Sequence, residues 1–407
     1  MNGLLKNLVG KIYLISVMLF VALQNHAQDA PKLPLFTLNQ ETVEYVGGFR
    51  IPLSTKGESR IAFSQGVFTL RQNQDSFFIV GHAHHQAIAE LAIPVLSKSK
   101  TISEWNFATF KQPFSSVISR ASSGNPQKID RITGMKEIEH QLIVNGMEFY
   151  DADANVRDTT LIVRDADQLV SSKIDGFFQL QGAAHAAGWI SEIPKVWQKA
   201  LGSEYLVGNA STLAINSRLS IGPSAFSAQF FGVLNGAEES GLILTNGLMD
   251  FSLKQPIAPD QYNKSLKNNI WTELSAAHYG FIIPNTSSYL VVGKSGGHNS
   301  GIGYKITQDN GRECGGPCSV KAEDNYNYFW LFDVADFVSV KAGEKQPYQP
   351  RPYQFGFFDT VNTSSYIIGA DYHKDTGLLY VVYSREDKYQ SQYEAAPVVR
   401  VYKIRGK

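Results

Sequence analysis

The stretch Val80–Pro94, VGHAHHQAIAELAIP, places His82, His84 and His85 in one short loop of a chain that has only nine histidines in 407 residues. Imidazole exchanges protons near neutral pH, so such a loop suits a general base or a substrate-binding group facing a groove. His82 and His84 are too close together to form a familiar zinc spacing from this loop alone. A third reading is a polar turn whose rings satisfy nearby backbone groups.

A second set of candidates lies late in the chain: His278, His298, Cys314 and Cys318. The only two cysteines stand four apart in ECGGPC. In an exported protein the default is a disulfide. Two thiolates and two imidazoles would instead make a tetrahedral zinc site, and the spacing leaves both readings open. Either would staple a long loop. The sequence has no G-x-S-x-G elbow, no H-E-x-x-H and no phosphate-binding glycine loop. A pair of glycosidase carboxylates leaves no sequence spacing, because those acids are set by distance in space.

The environment is legible at the start of the chain. Met1–Ala27 reads as a signal peptide: Lys6 and Lys11 precede the apolar run IYLISVMLFVAL, and NHA ends in a small residue. The run is short for a transmembrane helix, and nothing downstream replaces it. The expectation is a secreted or periplasmic protein with no membrane span after cleavage. Removing the leader takes away two lysines and no acid, leaving 35 basic against 37 acidic residues. That balance argues against nucleic acid as the main partner. A local basic groove for an anionic polysaccharide stays open, and a monomer is the expectation. The 24 Phe, 19 Tyr and 5 Trp serve equally as core or as stacking platforms for sugars.

The elements that must hold these side chains are strands. Short apolar runs recur between turn signals, as in DSFFIVGH, QLIVNGMEFYDADA, DTTLIVRD, SYLVVGKSGG and GLLYVVYS. Asp375-Thr376-Gly377 is hairpin chemistry, and Ile193–Gly202 predicts one short helix. Many short strands without long helices mean an all-β fold. Length favours a single β-propeller over residues 28–407, with seven blades of about 54 residues each. VEYVGGFRIP can complete the last blade beside PVVRVYKI and close the ring. In a propeller, turns of successive blades converge on one face. Tyr150, Arg164, His185, Tyr205 and Arg218 thereby become candidate neighbours of His82 and His85. Arg164 and Arg218 each offer a planar fork for a carboxylate or sulfate.

SFFIVGHAHHQAIAELAIP, FWLFDVADFVSVKAGEKQPYQPRPY and GADYHKDTGLLYVVYS resemble a group of exported bacterial proteins. More loosely, the chain resembles the seven-bladed propeller lyases that cut ulvan, a sulfated algal polysaccharide containing uronic acid. The resemblance implies a polysaccharide lyase working by β-elimination, with histidine, tyrosine and arginine on one propeller face, and in some members a structural metal. On this reading Arg164, with Arg218 in reserve, neutralises the uronate carboxylate, and His85 or His185 takes the C5 proton. Tyr150, with Tyr205 as partner, protonates the leaving oxygen, and His82 helps bind substrate. A second histidine expected soon after the first loop is absent, so His140 or His185 has to serve. Two rival expectations are a non-catalytic glycan-binding or adhesion propeller and a glycoside hydrolase, since the fold hosts all three.

Overall fold

A short apolar run between turns satisfies its backbone only by pairing sideways with its neighbours. In a computed structural model, which describes residues 30–73, 75–212, 214–236, 241–358 and 365–405, the chain does this as a series of antiparallel meanders. The expected signal peptide, Met1–Ala27, lies outside the described residues.

After β1 (Val43–Arg50) comes the first complete sheet: β2 (Phe68–Leu70), β3 (Ser76–Val80), β4 (Ala87–Ala92) and β5 (Thr109–Ser116). The second is β6 (Arg131–Ile138), β7 (Gln141–Met147), β8 (Asp158–Val163) and β9 (Ile174–Leu180). The third uses β10 (Trp189–Glu192), β11 (Tyr205–Gly208), β13 (Ala225–Ala228) and β15 (Thr245–Met249). Two short strands join neighbouring sheets: β12 (Ala210–Ser211) extends the fourth and β14 (Leu242–Ile243) the second. The fourth sheet is β16 (Ala276–Ile282), β17 (Ser288–Gly296), β20 (Asn325–Asp333) and β21 (Gln354–Phe357). A separate hairpin, β18 (Ile302–Tyr304) with β19 (Pro317–Ser319), grows from it. The last is β22 (Ile367–His373), β23 (Leu378–Tyr383) and β24 (Val398–Ile404), completed by β1 against β24 as expected.

The first strands β2, β6, β10, β16 and β22 contact one another in turn and back to β2, so the sheets are blades around a common axis. The fold is an all-β propeller with five blades, not seven. Dividing the length by an average blade overcounted because insertions consume the chain. The largest are 250–275, 297–324 with its hairpin, and 334–353 with a helix at Val334–Lys341. The predicted short helix is present at Lys195–Leu201.

Blade-to-blade packing explains the unbroken apolar strands. Alternate residues of SFFIV point to opposite faces. Phe77 and Ile79 pack toward the fifth blade with Tyr380 and Val399, while Phe78 and Val80 pack toward the second with Leu142 and Val144. Each such side chain, fully buried, contributes about 1.5–3 kcal/mol. Near the axis there is no room for side chains between inner strands. A Cβ at Gly134 would stand 1.8 Å from the Gly188 carbonyl oxygen, and one at Gly369 1.8 Å from that of Gly66.

The candidate functional site in the axial pocket

Strands within a blade alternate in direction. The loops joining second to third strands therefore share one end of the ring with the starts of the inner strands. At that end the axis opens into a cavity of about 220 Å³, lined by the first residues of all five inner strands.

Register shapes this pocket. The pairing of β6 with β7 slips between Ile132 and Gly134, that of β16 with β17 between Ala277 and Tyr279, and that of β22 with β23 between Ile367 and Gly369. The extra residues are Thr133, His278 and Ile368, and all three line the pocket. A bulge re-aims a side chain that the pleat would otherwise direct between blades.

His278 is enclosed, and its Nε2 has no hydrogen-bond partner. Burial, reinforced by the charge of Lys294, pushes its pKa down to about 3, so the ring is a neutral imidazole at physiological pH. Lys294, on β17 opposite Ala276, reaches the same cavity. Among the described residues its ammonium has no hydrogen bond or ion pair; the Tyr366 ring lies 5.9 Å away. Burial holds its pKa below the ordinary lysine range. Arg131 also lines the pocket, its guanidinium 5.0 Å from the Phe149 ring centre and donating to the Asp130 carbonyl. Among the described lining residues there is no aspartate or glutamate. Unpaired buried donors and acceptors are costly, and a pocket that gathers them in an apolar wall is matched to a ligand that pairs them.

The pocket has a floor. Tyr279 donates its hydroxyl to Asp371 Oδ1 at 2.7 Å, and Asp371 also accepts from Thr69, the Leu70 amide and Lys136. Four inner strands are thereby tied at one carboxylate that is 1 % exposed. Beyond this tie a separate cavity of about 600 Å³ opens at the other end of the axis, and Tyr279 belongs to the walls of both.

The residues singled out from sequence do not converge. His82, His85, Tyr150, His185 and Arg218 sit at the pocket end of the ring, outside its lining. His82 accepts from the His84 amide, its ring stacks on His85 at 4.8 Å, and His85 Nδ1 meets Ser59 Oγ at 3.1 Å. Burial and the neighbouring imidazoles lower the His82 pKa. His185 Nδ1 bonds Asp250 at 2.7 Å and Nε2 faces the Ser217 carbonyl. Burial opposes its charge, but these two acceptors outweigh it and raise the pKa. Both ring nitrogens thus have acceptors beside them, and the ring lies outside the axial pocket. Arg218 donates to the Asp151 and Ala152 carbonyls and fixes the loop that carries Tyr150.

Arg164 and Tyr205 lie at the opposite end, which separates them from His85 and Tyr150. Arg164 follows β8, one strand beyond Tyr150, and its guanidinium is held by Asp175, Gln141 and two carbonyls. Tyr205 begins β11 and packs on Phe230, and burial raises its pKa. His140, the stand-in histidine, is exposed beside Asp167 at that same end, in the turn after β6.

The zinc reading is also corrected. Cys314 and Cys318 form a disulfide, which removes both thiolates. Among the described residues no group of three or more His, Cys, Asp or Glu is placed to hold a metal. His298 bonds Ser295 Oγ at 2.6 Å and stacks on Tyr328, and burial pushes its pKa down to about 4. Lys294 and Arg131 escaped the sequence reading altogether.

No protein-family model matches the chain, and no curated protein matches it. Among the described residues no helix is long and apolar enough to cross a membrane.

Proposed function

We propose that this propeller is an exported lyase for a uronate-containing, ulvan-like polysaccharide, and that β-elimination takes place in the axial pocket rather than at the histidine loop. The observation that carries the reading is the pairing of a neutral His278, whose Nε2 has no hydrogen-bond partner, with a Lys294 that has no hydrogen bond or ion pair among the described residues, in an apolar cavity whose described lining has no acid. Elimination from a uronate needs its carboxylate neutralised, so that the C5 proton becomes acidic. Lys294 supplies that charge, since Arg131 is already 3.3 Å from the Asp130 carboxylate, and the bound carboxylate in turn restores the ammonium that burial disfavours. His278 is the proton acceptor, and the negative carboxylate bound beside it offsets the burial and the Lys294 charge that lower its basicity. In an apolar cavity these groups act in a lower dielectric than bulk water, where stabilising the developing enolate is the largest contribution.

The test is incubation with ulvan and other uronate polymers. The lyase reading expects the ultraviolet absorbance of a double bond conjugated with the carboxylate, and a loss of roughly 10²-fold or more in rate for His278→Gln. Binding without new absorbance would replace it with the glycan-binding reading. New reducing ends without absorbance would replace it with hydrolysis.

A further inference from the structure

We infer that the axial pocket takes the reducing-end residue of its polymer, so that a uronate standing at that end is removed as an unsaturated monosaccharide. This inference rests on the lyase reading and concerns which part of the substrate that site admits. The two groups that must address the uronate, His278 and Lys294, line a cavity of about 220 Å³ whose floor includes Tyr279, held by Asp371. The cavity beyond that floor is separate. A chain cannot thread the axis; it can only enter one end first.

The reaction then decides which end. In β-elimination the C5–H bond breaks and its proton passes to His278. The electron pair forms the C4–C5 double bond, and the C4–O4 bond breaks. O4 leaves on the fragment toward the non-reducing end, taking its proton from solvent at the open mouth. The uronate being processed must therefore keep O4 pointing to the open mouth, where the rest of the chain lies. C1 stands across the sugar ring from C4 and points to the floor. No further residue fits on C1, so the uronate in the pocket is the reducing-end residue, and it is released as an unsaturated monosaccharide.

The experiment compares uronate-containing oligosaccharides with a free reducing end against the same oligosaccharides carrying a bulky aromatic amide at C1. Products are followed over time by mass spectrometry. Free oligosaccharides ending in a uronate are expected to release it as one unsaturated monosaccharide, and the blocked ones to react more slowly by roughly tenfold or more. Equal rates for both, or an early ladder of intermediate sizes, would overturn the end-first inference and leave the lyase reading standing. No unsaturated product from the free oligosaccharides would overturn both. His278→Gln serves as the blank: cleavage that it does not slow comes from elsewhere and counts against both.

Discussion

Two lysines reach the axis of the ring from different blades, and they differ in their company. Lys136, on β6, stands 3.2 Å from Asp371, which is also held by Tyr279, Thr69 and two backbone amides. Lys294, on β17, has no acidic neighbour in the described lining of its cavity. Both are enclosed, so residue type and burial are shared, and pairing alone separates them. A paired buried charge closes a structure. An unpaired one beside a cavity is an unmet demand that a ligand can supply.

The largest expected effect tests the paired side. Asp371→Ala leaves Lys136 buried without its counter-charge and should lower the unfolding free energy by about 3–5 kcal/mol. Denaturant titration measures this, and a loss below ~1 kcal/mol would mean that the tie at the axis is incidental. The contrast is sharpest at the other lysine. Lys294→Met should remove activity on uronate polymers by roughly 10²-fold or more while leaving stability unchanged or raising it by up to ~1 kcal/mol, because it deletes an uncompensated charge. A destabilisation as large as that of Asp371→Ala would erase the distinction between the two lysines.

Acid should act on the unpaired side as well. His278 and His298 are held neutral, with folded pKa values of about 3 and about 4. An unfolded histidine titrates near 6.5, so below that pH the unfolded chain binds more protons than the folded one. Stability should therefore fall as pH drops from about 6.5 toward 4, with each histidine contributing a slope of ~1.4 kcal/mol per pH unit. His278→Gln should remove its share of the slope, and an unchanged slope would place that imidazole in contact with solvent. The smallest effect is expected at the loop that drew attention in the sequence. His85→Ala removes an exposed ring and should change stability by no more than about 0.5 kcal/mol, with turnover unaltered. A large loss of turnover would return the base to the histidine loop.

Strand content and ring closure were legible in the sequence; the blade number and most of the site were not. The blade number stands in the letters all the same, because the second strands repeat as SFFIVG, QLIVNG, EYLVG, YLVVG and LYVVY. Counting these gives five, whereas dividing the length counts insertions as blades. Arg164 and Tyr150 were within reach of the same reading. They flank one strand, DTTLIV, and a strand sends its two ends to opposite faces. Lys294 was not, since a lysine within a strand reads as a solvent-facing position until both faces of its sheet are known to be covered. His278 was visible as a histidine, but the bulge that aims it inward depends on register with β17, which single-sequence periodicity does not carry.

The pairing of Val43–Arg50 with Val398–Ile404 also has a consequence in time. The two partners are separated by nearly the whole chain, so the last blade belongs to both ends of the polypeptide. A chain delivered from its amino end can assemble four blades in order, but the first strand must wait, its edge unpaired, until the last has emerged. Contacts this distant slow folding. During that interval the waiting edge is the surface most open to pairing with another molecule.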